Sequence, residues 1–257
     1  MTTYVLSGYN SVNYPTIAVV FAATFIVYNL PIFIYLLKNV FLKGTNIKYL
    51  FSPIHDALLM ILLIASIVSI AIFLPHLNLR SILALIVLSF VVLFYFVPVR
   101  NGKTNLRQIG CIKAIVISIV WISATCIIPL INYDHEFVTT DILLLSSRFI
   151  YVYVLVMLFD IRDIATDKCH NLRTLAIILG KKYSIVLCEV LLCMYLFTIS
   201  ISSISYSYKY AMILSAIPLF FIIIKSINVR YKYFFLFVVD GFLVLQFILI
   251  LIFKYFY

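Results

Sequence analysis

Residues 159–182 read FDIRDIATDKCHNLRTLAIILGKK, and three of the chain's nine acids, Asp160, Asp163 and Asp167, fall within eight positions of it. They stand at the end of the apolar run ILLLSSRFIYVYVLVML, where hydropathy places a membrane helix. On a continuous helix, positions i, i+3 and i+7 lie within about 60° of arc, so the three carboxylates are expected on one face. Anions that close repel one another, and each is unfavourable at a membrane boundary. A cation resolves the conflict. Oxygen-only ligands suit a hard ion, and Mg²⁺ typically binds through one or two carboxylates plus substrate phosphates. The plainer alternative is a solvated helix end whose acids pair with Arg162, Lys168 and Arg173.

The surrounding chain makes the first reading a membrane one. Of 257 residues, 65% are hydrophobic and 11% charged, with a mean hydropathy of +1.19. No soluble domain needs so much apolar surface. The expected fold is all-α, a polytopic transmembrane helical bundle of about eight helices forming one integral membrane domain over residues 1–257. Spans are expected at about 15–37, 54–75, 80–99, 108–131, 139–160, 183–205, 209–225 and 233–253. The opening MTTYVLSGYNSVNYP has neither the positive charge nor the small-residue cleavage site of a secretory signal.

Charge supports the count. Fifteen of the nineteen Lys and Arg gather on alternate loops, around Lys38–Lys48, Arg100–Lys113, Arg162–Lys182 and Lys225–Lys232. Arg80, Arg148, Lys209 and Lys254 fall to the other side, with the acids Asp134, Glu136 and Asp141. The positive-inside rule then puts the aspartate stretch in the cytoplasm and both termini outside. The formal charge of +10 is thereby explained by topology, with no call for nucleic acid. Five scattered cysteines without a CxxC read as small core residues, and four scattered histidines offer no zinc spacing.

Two further groups bear on chemistry. Lys113 sits one to two turns inside the fourth span, a depth that requires snorkelling or an anionic partner. With Lys48, Arg107 and Arg173 it offers a set of cations for phosphate oxygens, arginine being suited to bidentate contact. Positive loops touching anionic lipid are the alternative for these residues. Asn29 lies well along the first span, two residues before Pro31, and reads either as helix–helix glue or as a site residue. Asp56, just after Ser52-Pro53, reads as compensation of a helix dipole. No GxSxG, HExxH, P-loop or Ser/His/Asp set is present.

The stretch DIRDIATDKCHNLRTLAIILGKK resembles the second aspartate motif of the UbiA superfamily of membrane prenyltransferases. Asp160, Asp163, Asp167, Thr174, Leu175, Leu179 and Gly180 stand where that pattern requires them. The loop YFVPVRNGKTNLRQIG is similar to the family's basic loop. The family's first motif, an asparagine followed by acids, has its counterpart in YNLPIFIYLL, where Asn29 remains but Leu30, Phe33 and Leu37 fill the acidic positions.

The resemblance implies a Mg²⁺-dependent transfer of an isoprenoid chain from a prenyl diphosphate to an unidentified acceptor in the lipid bilayer. It implies Asp160, Asp163 and Asp167 as metal ligands, and Lys48, Arg107, Lys113 and Arg173 as diphosphate contacts. Asn29 and Lys113 are then the catalytic pair. The expected setting is a bacterial inner membrane. A non-catalytic relative that binds an isoprenoid diphosphate or polar lipid is the alternative. A transporter with an intramembrane cation path is a further one, disfavoured by the lack of a visible inverted repeat.

Overall fold

The computed structural model describes residues 13–42, 53–96, 110–169, 172–226 and 235–256. Every regular element among them is helical. We number the α-helices α1 Tyr14–Leu42, α2 Pro53–Phe73 and α3 Leu79–Phe96. Next, α4 begins as Gly110–Ile122, widens to a π-helical stretch over Ser123–Ile127 and resumes as Ile128–Asn132. Then follow α5 Thr139–Arg162, the short α6 Ile164–Cys169, α7 Leu175–Ile201, α8 Tyr206–Lys225 and α9 Asp240–Phe256. Among the described residues six helices are long and apolar enough to cross a membrane, and Tyr14–Asn29 and Leu79–Tyr95 are shorter apolar helices. The chain is an all-α polytopic bundle, and the eight expected spans fall on α1–α5 and α7–α9.

The core lies in the second half of the chain. Helix α5 carries Tyr151, Val154, Met157 and Leu158, each fully buried, and packs chiefly on α7 and α4. Helices α2 and α3 are different. They expose Leu58, Ile61, Ile64, Val87 and Phe90, as helices in contact with lipid do, where apolar side chains need no protein cover and backbone groups are satisfied within the helix.

Local chemistry fixes the element ends. Asn78 caps α3 by accepting from the Ser81 amide at 2.9 Å, and its own amide donates to the Ile131 carbonyl at 2.9 Å. That ties the α2–α3 turn to the end of α4. The π stretch of α4 ends just before Pro129, which lacks the N–H that would bond Thr125 and whose ring crowds that carbonyl; the helix relieves this by widening. Asp141 forms a capping box at the start of α5, accepting from the Val138 amide at 3.0 Å and pairing with His135 at 2.8 Å. Asp56 lies in the first turn of α2, as expected, and is buried.

Two expectations are corrected here. The sixth span begins at Leu175, ahead of the expected 183, and is interrupted at Gly180, whose φ of 75° is a left-handed conformation that glycine adopts without strain. Arg148, counted with the outer charges, is instead buried inside the bundle.

Candidate functional site

At one end of the bundle, α4 delivers Lys113 to the aspartates. Lys113 Nζ donates to Asp160 Oδ1 at 2.6 Å and stands 3.8 Å from Asp167 Oδ2. The lysine side chain is 14% exposed and that of Asp160 only 1%. The need for an anionic partner at this depth is therefore met by two carboxylates. One ammonium against two carboxylates leaves a formal charge of −1 on the cluster.

The three aspartates do not act as one face. Helix α5 ends at Arg162, and Asp163 is its C-cap, with φ −87° and ψ 5° before α6 begins. Arg162 reaches across to Asp163 with two bonds, at 2.7 and 2.9 Å. Its guanidinium also lies over the rings of Phe159 and Phe235, 5.0 and 5.4 Å from their centroids. Asp163 is thus committed to Arg162, while Asp160 and Asp167 converge on Lys113. A continuous helix would have kept the three together; the break at Asp163 separates them. Among the described residues no three His, Cys, Asp or Glu side chains group closely enough to hold a metal by themselves.

The pair still has spare capacity. Asp160 Oδ2 and Asp167 Oδ2 are both buried without a hydrogen-bond partner. Buried carboxylate oxygens left in that state cost free energy until a donor or cation meets them. Two hard oxygens beside a lysine fit Mg²⁺, an ion that keeps other positions for water and phosphate. Thr174, the N-cap residue of α7, is likewise buried with its hydroxyl unpartnered.

Lys113 also closes one end of a cavity of about 440 Å³. Its walls come from Val20–Tyr28 of α1, Leu85–Tyr95 of α3 and Lys113–Thr125 of α4, and they are overwhelmingly apolar. At middle depth Trp121 Nε1 donates to Tyr28 Oη at 3.3 Å, joining α4 to α1. The sequence singled out neither residue. They lie 93 positions apart, and aromatic residues are frequent along every span.

Other expected site residues fall elsewhere. Asn29 donates its side-chain amide to the Phe25 carbonyl of its own helix at 2.8 Å, so it is bound locally. It is not among the residues that line the cavity. Arg173 is exposed in the short connection ahead of α7. Lys48 and Arg107 lie outside the described residues.

A second polar centre sits deeper. Arg148 of α5 donates to Gln246 Oε1 of α9, and Gln246 Nε2 donates to Tyr195 Oη of α7 at 2.6 Å and approaches Ser215 Oγ of α8 at 3.3 Å. The Tyr195 and Ser215 hydroxyls donate to the Met212 carbonyl, at 3.3 and 2.7 Å. Four helices meet there around one guanidinium that, among the described residues, pairs with no carboxylate, and its Nη2 has no partner there.

The chain matches no protein-family model, no curated protein and no solved structure. Fold and site together define the class: an integral membrane helical bundle with a lysine–carboxylate cluster at the end of an apolar cavity. Any narrower identity rests on that geometry and on the motif.

Proposed function

We propose that this protein is a UbiA-like membrane prenyltransferase that moves an isoprenoid chain from a prenyl diphosphate to an acceptor, with Mg²⁺, at the cytoplasmic face. The observation that carries the proposal is that the apolar cavity is lined at one end by Lys113, whose ammonium bonds Asp160 and stands 3.8 Å from Asp167. Long apolar substrates with a highly charged head have that same division.

Charge decides what the cluster needs. At a formal −1 it repels a diphosphate; a bound divalent ion would turn it to +1. Asp160 and Asp167 would supply the oxygens for the ion, and Lys113 would meet the phosphate oxygens. When bound, Mg²⁺ supplies charge stabilisation for the departing pyrophosphate. The chain's own residues do the rest. Lys113 is placed to offer an ammonium where negative charge grows as the C1–O bond breaks. The walls from Val20 to Thr125 hold the chain and keep water from the electron-poor carbon. The acceptor's nucleophilic atom forms the new bond to C1 and gives up its proton, and pyrophosphate leaves. Asp163, held by Arg162, keeps the end of α5 in place.

The test is transfer itself. Purified protein in lipid nanodiscs is supplied with labelled prenyl diphosphate, Mg²⁺ and a total membrane-lipid extract. The proposal expects label to move into an uncharged lipid fraction, and to stop doing so with Asp160→Asn. Failure to form any product over wild-type controls would leave the second reading, a non-catalytic binder of the same diphosphates. That reading is favoured by Leu30, Phe33 and Leu37 in the first-motif positions and by the local bond of Asn29 to Phe25.

A further inference from the structure

One hydrogen bond joins two of the cavity's walls. From Lys113 to Trp121, α4 is regular α-helix, so the eight steps at 1.5 Å each span about 12 Å. The lining continues past Trp121 to Ala124 and Thr125 in the π stretch, and past Tyr28 to Thr24 and Val20 on α1. Four more residues add roughly 6 Å. Helix α1 touches α4 at Ile128–Asn132, beyond the lining residues of the cavity. The Trp121–Tyr28 bond joins α4 to α1 within the lining, at about two thirds of the lined length of α4.

Both ends of the bond suit this position. Tyr28 is 62% exposed, so its ring has room to move, and its partner is a single indole N–H with one donor. Beyond the bond, Thr24 and Thr125 have turned their hydroxyls back onto the Val20 and Trp121 carbonyls, at 2.7 Å each. The far chamber thus presents methyl groups, not free hydroxyls, to whatever enters. It is finished as an apolar space, and a chain that reached it would meet no unsatisfied polar group.

We propose that Tyr28 and Trp121 form a cross-bar that sets the length of apolar chain the cavity accepts. A chain anchored at Lys113 by an anionic head runs about 12 Å before it meets the bar; a longer chain must break the Tyr28–Trp121 bond to occupy the far chamber. The proposal rests on the diphosphate reading for the head, and on the cavity alone for the bar. Losing one net hydrogen bond takes roughly 2- to 10-fold off the affinity that a longer chain gains by burying more apolar surface.

Trp121 is the chain's single tryptophan, so its fluorescence reports on the bar without labelling. Two probe series are needed: prenyl diphosphates of increasing length with Mg²⁺, and single-chain alkyl phosphates and alkyl alcohols brominated at successive depths. Detergent-solubilised wild type is compared with Tyr28→Phe, which removes the hydroxyl and leaves the ring. The expected result is strongest quenching when bromine lies about 12 Å from the head. Tyr28→Phe raises the ratio of long-chain to short-chain affinity by the factor above. An unchanged ratio of long to short affinities in Tyr28→Phe, with Trp121 still quenched, would overturn the bar. So would quenching that ignores bromine depth. If no diphosphate binds but the brominated alcohols quench with the same depth and length dependence, the bar stands and the diphosphate reading falls.

Discussion

Lys113 and Arg148 are two cations buried in one bundle, and they are neutralised in opposite ways. Lys113, near an end, faces two carboxylates that together outweigh it and keep two oxygens spare. Arg148, deep between α5, α7, α8 and α9, faces the amide of Gln246, held in turn by Tyr195 and Ser215. An ionic cluster with spare oxygens at a cavity's end has other partners to take, such as a metal ion and a phosphate. The guanidinium is instead fastened through a neutral amide to three other helices, with one nitrogen, Nη2, left over. The first arrangement suits a site that changes partners; the second suits a joint that must not.

That contrast is open to attack by substitution, and the largest effect belongs to the joint. Gln246→Leu leaves the Arg148 charge buried without its acceptor, which should cost about 3–5 kcal/mol. Unfolding in detergent measures it, and a loss below about 1 kcal/mol would make the network incidental.

Next comes the site. Asp160→Asn removes the charge bonded to Lys113, and a hydrogen bond to a charged group is worth about 1.5–3 kcal/mol. Mg²⁺-dependent binding of prenyl diphosphate should fall with it, read by titration calorimetry.

Asp163→Asn is the sharper variant, because motif reading alone makes Asp160 and Asp163 equivalent. With Asp163 already paired to Arg162 and partly exposed, we expect a stability loss of about 0.2–1 kcal/mol and nearly unchanged ligand binding. Equal loss of binding in the two variants would restore the three-carboxylate site. Smallest of all, Ser215→Ala should cost about 0.6 kcal/mol, the usual worth of a neutral bond between membrane helices. Thermal unfolding against wild type checks it.

What could be read in the sequence followed from physics that acts locally. Runs of apolar residues long enough to span needed no partner to be recognised, and all eight correspond to helices. The depth of Lys113 demanded an anion, and the acids available were few, so its pairing with the aspartate stretch was within reach. The break at Asp163 was not. It accompanies an Arg162 side chain lying over Phe159 and Phe235, and Phe235 is far along the chain.

Arg148 was misplaced for a related reason. Counting charges by loop assigns an arginine near a helix start to the nearest surface, and only Gln246, 98 positions later, keeps it inside. The cavity's cross-bar shares that long-range character. These misses are contacts between distant segments, which neither hydropathy nor motif spacing encodes; the early start of the sixth span is local, its break at Gly180 hidden inside an apolar run.

The central claim is that Asp160, Asp167 and Lys113 close the apolar cavity with a Mg²⁺-dependent diphosphate site. The most direct measurement is thermal unfolding of solubilised wild type and Asp160→Asn with a prenyl diphosphate, with and without Mg²⁺. At 100 times its dissociation constant, a ligand adds about 2.7 kcal/mol to the folded state. The account predicts an upward shift of that size in wild type only when Mg²⁺ is present, and none in Asp160→Asn. A shift of equal size in the variant, or none in wild type at any chain length, would contradict it.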